Sequence, residues 1–185
     1  EMKKLFVGVL CVALSLSVQG KEVNMTSPDG KYQFTLSDSG GQLHYSLTWN
    51  GKQTVKPSLL GINANVEWRD GVEIGTVDSS RKDTIWHPVY GERSEIKDCY
   101  HAWKIVVNRQ NGRDKLILDV RAYDEGIAFR YHFPGGQYLK ITDEYTEYTM
   151  PEGTKAYFTP KAQTPYSYLP LENWPGESDR PLLLT

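Results

Sequence analysis

The sequence predicts an all-β fold in which antiparallel strands form a sandwich or a barrel. Apolar and polar residues alternate with a period of two over several short segments, which is typical of half-buried strands. Turn-forming pairs such as Asn50-Gly51 and Asp70-Gly71 separate these segments. The chain also contains 16 glycines and 10 prolines, which suits many short strands, and no long segment has the helical period of about 3.6.

Residues 1–20 have the features of a secretory signal peptide. Lys3-Lys4 gives a basic start, Leu5 to Leu16 is apolar, and Val18-Gln19-Gly20 places small residues at the expected cleavage site. The apolar run is too short to span a bilayer. We therefore expect a mature chain of residues 21–185 that is periplasmic or secreted and has no membrane anchor.

The predicted strands follow one another along the mature chain. Lys31–Ser37 and Leu43–Trp49 each alternate apolar and polar residues, and turn residues lie between them, so they are expected to form a β-hairpin. Residues 161–181, which several prolines interrupt, are expected to form a long aromatic-rich loop. Residues 182–185 resemble a short apolar strand. The other predicted strands are Gly61–Arg69, Ala102–Arg109, Lys115–Tyr123, Ile127–Phe133 and Ala156–Thr159.

Charge and cysteine content exclude several classes of function. The formal net charge is −2 and there is no run of basic residues, which argues against nucleic acid or an anionic membrane as a partner. Cys99 is the single cysteine of the expected mature chain, so neither an internal disulfide nor a cysteine-based zinc site is possible there. No nucleotide-binding loop, nucleophile elbow or paired histidine motif occurs, and we predict no catalytic residue.

Aromatic residues make up 12% of the chain, with 12 tyrosines and 5 tryptophans. Because sugar rings stack on phenol and indole rings, an exported β-sandwich of this composition is compatible with carbohydrate binding. The alternative is that the aromatic side chains simply fill the core of the sheets. We expect Trp49 and Trp68, which lie on alternating strands, to be core residues. For Trp86 and Trp174, which lie in irregular proline-flanked segments, both interpretations stay open.

Several segments together resemble the amino-terminal domain of glycoside hydrolase family 97. The two most specific are Trp86-His87-Pro88-Val89-Tyr90-Gly91-Glu92 and the run from Arg121 to Pro134. Ser27-Pro28-Asp29-Gly30 and Pro57-Ser58-Leu59-Leu60-Gly61 precede them in the order typical of the family. The resemblance covers essentially all of residues 21–185. It implies an antiparallel β-supersandwich like that of galactose mutarotase, which we expect to be incomplete at its carboxyl-terminal end here.

The resemblance implies that the parent protein is an exported, exo-acting α-glycosidase of the α-glucosidase or α-galactosidase type. In whole enzymes of the family the catalytic residues belong to a (β/α)₈ barrel, and the sandwich packs on this barrel and helps to wall its pocket. We therefore expect a non-catalytic portion of such an enzyme, whose carbohydrate partner binds through the barrel. The first alternative is a stand-alone periplasmic sandwich that binds a carbohydrate or a protein through residues 161–181. A mutarotase-like enzyme is the second, although no suitable acid–base pair is evident.

The aromatic composition and the family resemblance together indicate the candidate site residues. Trp86, Glu92, Tyr166 and Trp174 are candidates for contacts with substrate or with another domain.

The resemblance also implies a calcium ion near the substrate, to which the sandwich lends one glutamate. Pro165 stands at the matching position, and its side chain cannot bind a metal ion. Glu172 and Glu177, in the loop that follows, are the possible substitutes, and the alternative is that they are exposed loop acids. Because calcium takes about six to eight oxygen ligands, we expect none to be bound by this chain alone.

Overall fold

The computed structural model describes residues 20–110, 112–135 and 138–185. Residues 1–19 of the predicted signal peptide lie outside these ranges, as do Asn111 and Gly136 of two predicted turns. Within the described residues, no helix has the length and apolar character needed to cross a membrane.

Antiparallel strands dominate the described part of the chain, and no α-helix interrupts them there. Two short 3₁₀ turns, Ser39–Gly41 and Leu171–Asn173, complete the secondary structure. The strands are β1 (Glu22–Thr26), β2 (Tyr32–Ser37), β3 (Leu43–Trp49), β4 (Lys52–Leu60), β5 (Ile62–Ala64), β6 (Val66–Glu67), β7 (Val72–Trp86), β8 (Ile96–Arg109), β9 (Lys115–Tyr123), β10 (Gly126–His132), β11 (Ile141–Glu144), β12 (Lys155–Phe158), β13 (Ser167–Pro170) and β14 (Leu183–Leu184).

The strands form four sheets, of which two provide the sandwich. The first sheet has the order β1-β2-β3-β4, and the second has the order β10-β9-β8-β7, so both are built from successive hairpins.

Hydrogen bonds within the short turns fix the geometry of these hairpins. Between β1 and β2, the carboxylate of Asp29 accepts hydrogen bonds from the Ser27 hydroxyl at 2.7 Å and from the Lys31 backbone N–H at 3.0 Å. These bonds, with that from Ser27 as the largest contribution, hold the pKa of Asp29 well below its usual range.

The core lies between the inner faces of the first and second sheets. Phe34 and Tyr45 of the first sheet stack with ring centroids 5.3 Å apart, and Phe129 of the second sheet lies 6.1 and 5.7 Å from them. Burial raises the pKa of Tyr45 far above its usual range, and that of Tyr131, beside this cluster, to about 12. Both phenols therefore stay protonated as hydrogen-bond donors. Aliphatic side chains fill the rest, including Leu36, Leu43, Ile105, Val107, Leu116, Leu118 and Val120.

The remaining two sheets are small. β11, β5 and β6 form the third sheet, and the chain after it runs along the outer edge of β4. There the backbone N–H of Glu147 donates to the carbonyl of Leu59 at 2.9 Å, and that of Lys56 donates to the carbonyl of Thr149 at 2.7 Å. This segment satisfies backbone groups that an open edge would leave unpaired. The fourth sheet has the order β13-β12-β14.

An apolar groove of about 730 Å³ opens between the first sheet and β10. Phe34, Tyr45, Phe129 and Tyr148 contribute to its walls, of which Phe34 and Tyr45 are buried, Phe129 is half-buried and Tyr148 is exposed. In the described sheet β10 is an edge strand.

The structure confirms the predicted all-β fold and its first hairpin. It also places strands at or within two residues of the predicted bounds for β9, β10 and β12. The predicted strand Gly61–Arg69 is wrong as a single element, because Asn65 adopts a φ of 65° and divides it into β5 and β6. Residues 161–181 are not one loop, because they contain β13 and the second 3₁₀ turn.

The predicted strand Ala102–Arg109 is confirmed as the second half of β8, whereas β4, β7 and the first half of β8 gave no clear signal in the sequence. β4 contains Pro57 and is bent by irregular pairing with β3. Residues 83–86 of β7 and 96–99 of β8 extend beyond β9 as a two-stranded ribbon, and from Asp78 to Trp86 every residue of β7 is exposed. Alternation arises from burial of one face, so a ribbon exposed on both faces shows none.

Replacing Phe34, which is 1% exposed, with alanine should lower the free energy of unfolding by about 3–5 kcal/mol, because it removes the contact between the two sheets. Chemical denaturation measures this loss. The control is Trp49→Ala: Trp49 was expected in the core but is 44% exposed, so its loss should cost less than about 1 kcal/mol. Equal losses for the two variants would contradict the assigned core.

Candidate functional site

The tip of the β7–β8 ribbon carries the most exposed apolar side chains of the second sheet. Val89 is 99% and Tyr90 is 90% exposed, and Ile85 and Trp86 beside them are also exposed. Glu92 lies in the same exposed connection. We refer to residues 85–92 as the hairpin tip. Adjacent large apolar side chains in water mark a surface that another molecule or domain covers.

The local sequence explains the shape of the hairpin tip. Pro88 removes a backbone donor, and Gly91 adopts a φ of 142°, so the segment cannot continue the ladder between β7 and β8. A contact between the His87 ring Nδ1 and the carbonyl oxygen of Ser94, 3.1 Å apart, ties the two sides together.

A second exposed aromatic surface lies on the fourth sheet. The rings of Tyr157 and Tyr166 stack with centroids 5.0 Å apart and planes 10° from parallel. Tyr168 meets Tyr157 edge-on at 6.4 Å, and the ammonium group of Lys155 lies 5.1 Å from the Tyr168 ring centre. All three tyrosines are exposed. We refer to these four residues as the tyrosine platform.

Trp174 lies beside the fourth sheet and is half-buried. Its ring packs edge-on against Phe158 at 6.4 Å, and its Nε1–H donates to the backbone carbonyl of Glu177 at 3.0 Å. The indole therefore orders the loop that it belongs to. The sequence candidates thus fall in two places: Trp86 and Glu92 at the hairpin tip, and Tyr166 and Trp174 at the fourth sheet.

The described residues do not fit a complete calcium site. Glu172 lies within the second 3₁₀ turn and Glu177 follows it, and both are exposed. Within the described ranges, no group of three or more histidine, cysteine or acidic side chains is placed to hold a metal ion. Calcium therefore stays a prediction for the longer enzyme.

The outer face of the second sheet holds a cluster of charged residues that the sequence analysis did not single out. Arg121, Asp119 and Arg130 lie side by side on β9 and β10 around a depression of about 630 Å³. Arg121 and Arg130 belong to the run Arg121 to Pro134, and Asp119 lies two residues before it. Alternation alone predicts exposed polar residues there and cannot show that they converge.

The antiparallel pairing of the two packed sheets defines a β-sandwich domain. Residues 25–185 match the family described as Glycosyl-hydrolase 97 N-terminal. The chain therefore belongs to glycoside hydrolase family 97, as an amino-terminal domain.

One curated relative is a retaining alpha-galactosidase of Bacteroides thetaiotaomicron, which is 30% identical over 159 residues. The aligned region covers 84% of this chain but only 23% of that protein.

Solved structures support the same fold. Family 97 enzyme structures from Pseudoalteromonas sp. strain K8, one in complex with panose and one with acarbose, superpose with TM-scores of 0.75 and 0.74 at 22% identity. They cover 82% and 80% of this chain and 25% and 24% of those chains. A beta-arabinopyranosidase structure has a TM-score of 0.68 at 24% identity, over 75% of this chain and 23% of that one. At these identities the likeness shows the fold alone.

Millimolar calcium should leave the melting temperature of the chain unchanged, because Glu172 and Glu177 lack the further ligands that the ion requires. Differential scanning fluorimetry with and without a chelator measures the shift. A saturable rise that Glu172→Gln or Glu177→Gln abolishes would contradict this expectation and restore these residues as ligands.

Proposed function

We propose that this chain is the non-catalytic amino-terminal portion of an exported α-glycosidase and that it packs on the catalytic part of the longer enzyme. Its family membership carries the proposal, together with its coverage of only about a quarter of each relative. The α-galactosidase relative and the panose and acarbose complexes support an exo-acting α-glycosidase as the parent. The signal-peptide features of residues 1–20 support export to the periplasm or beyond.

The hairpin tip is the proposed docking contact. A two-stranded ribbon buries little apolar surface, so exposed apolar side chains at its tip do not stabilise it. Contact with the surface of another domain best explains them. Val89 and Tyr90 project fully, whereas Trp86 and Ile85 form a broader base. We assign the catalytic part of the same enzyme as the occupant, because three quarters of each relative lies outside the matched region.

The apolar groove beside β10 supports the same proposal. Its walls include the half-buried ring of Phe129 and the exposed ring of Tyr148, and in the described sheet β10 has an unpaired edge there. In the longer enzyme a further strand would bury this surface and complete the hydrogen bonding of the edge.

The tyrosine platform is the proposed contribution to the wall of the sugar-binding pocket. Tyr166 and Tyr168 present aromatic rings, on which the apolar face of a sugar ring packs, and the phenol hydroxyls can bond to sugar hydroxyls. Trp174 holds the neighbouring loop in place. The platform also supports the alternative function, a stand-alone periplasmic domain that binds a carbohydrate or a protein through this region.

The isolated chain should not hydrolyse p-nitrophenyl α-galactoside or α-glucoside above the uncatalysed rate, because we assign it no acid–base pair for glycosidic cleavage. Release of nitrophenolate is followed by absorbance. Turnover that increases in proportion to chain concentration would contradict a non-catalytic role.

In the longer enzyme, which the coding sequence after Thr185 would supply, Val89→Asp should weaken the packing of the domains. A buried carboxylate without a partner is strongly unfavourable, so at least a tenfold faster proteolytic separation of the domains is expected. The control is Gln53→Asp, an exposed position on the first sheet. Equal proteolysis rates for both variants would place the contact elsewhere.

A further inference from the structure

The outer face of the second sheet contains a trough that runs across all four strands. One row from β7 to β10 consists of the directly opposed residues Ser80, Ala102, Arg121 and Ala128. Three of these four side chains are small, so this row forms a low floor between two rows of larger residues. With strands about 4.8 Å apart, the floor is about 14 Å long. We refer to this row and its two flanking rows as the outer trough, and the flanking rows are Lys82, Tyr100, Tyr123 and Gly126 on one side and Asp78, Lys104, Asp119 and Arg130 on the other.

Arg121 stands on the floor and is held in one orientation. Its guanidinium carbon lies 4.6 Å from the centre of the Tyr100 ring, and its Nη1 donates to the Tyr123 hydroxyl at 3.4 Å. Tyr100 is only 8% exposed, because Arg121 and its neighbours cover it. No described carboxylate pairs with Arg121, so apart from the bond to Tyr123 its N–H groups have no described acceptor.

The charged row beside the floor presents groups of both signs. The carboxylate of Asp119 already has partners: it accepts a hydrogen bond from Arg130 Nε at 2.9 Å and lies 3.4 Å from His132 Nδ1. Asp78 and Lys104 are direct neighbours across the strands, yet neither pairs with a described residue. The trough therefore offers both a carboxylate acceptor and cationic donors, together with the hydroxyl of Ser80.

We propose that the outer trough binds a neutral oligosaccharide. A hydroxyl group both donates and accepts hydrogen bonds, so a run of sugar hydroxyls matches donors and acceptors that lie side by side. An anionic ligand would lie beside the carboxylate of Asp78, which forms no ion pair with a described residue, and an apolar peptide would bury Arg121 and Lys104 without partners. The small floor residues leave room for the sugar rings. This site needs no catalytic domain and goes beyond the proposed packing function.

The test is a titration of the ¹⁵N-labelled chain with panose, with raffinose and with digalacturonate, followed by amide chemical shifts. Saturable shifts of Ala102, Arg121 and Ala128 with panose or raffinose are expected. Absence of saturable shifts with both neutral sugars, shifts confined to the tyrosine platform, or binding of digalacturonate alone would each overturn the proposal. Failure here would leave the packing function intact, because that function is tested through the hairpin tip.

Two variants locate the site. Ala128→Trp fills the floor at an exposed position of an edge strand, and Arg121→Met removes the held donors. Each should weaken binding at least tenfold while the melting temperature is retained. The matched control, Gln53→Trp on the first sheet, should bind as the unaltered chain does. Undiminished binding by Ala128→Trp would overturn the assignment.

Discussion

The contact between Phe129 of the second sheet and the stacked pair Phe34 and Tyr45 of the first is the interaction on which the rest of the structure depends. A single sheet of this size could not bury its apolar face, so each sheet is stable only against the other. Because side chains alternate along a strand, the burial of Phe129 also places its neighbours Ala128 and Arg130 on the outside.

That constraint determines which surfaces are available for function. Outward residues of four neighbouring strands must align in rows, and the outer trough is the direct result of this register. Where β7 and β8 leave the sandwich, no second sheet covers them, and the hairpin tip stands free. The tyrosine platform belongs to a different sheet. The domain thus presents three chemically different surfaces around one core.

Much of the fold was predictable, but the site was predictable only in part. The alternation in Lys115–Tyr123 predicted β9 because one of its faces is buried, whereas the ribbon of β7 has no buried face and gave no such pattern. Trp68 was expected in the core and is buried there, but Trp49 ends its strand at the margin of the sheet and is exposed. The family resemblance indicated Trp86 and Tyr166 as surface contacts. It could not indicate Tyr157 or Tyr168, whose rings join Tyr166 only when β12 and β13 pair.

The sequence by itself determined the all-β class, the position of the tight turns and the family. These depend on neighbouring residues: alternation, turn chemistry and short motifs are all local properties of the chain. Only the tertiary structure decided which face of each strand is buried and which residues meet across strands. The reason is physical, since Arg121, Ala102 and Ala128 become neighbours through hydrogen bonding between strands that are distant in the chain. Their charges and sizes are visible in the sequence, but their convergence into one trough is a property of the register.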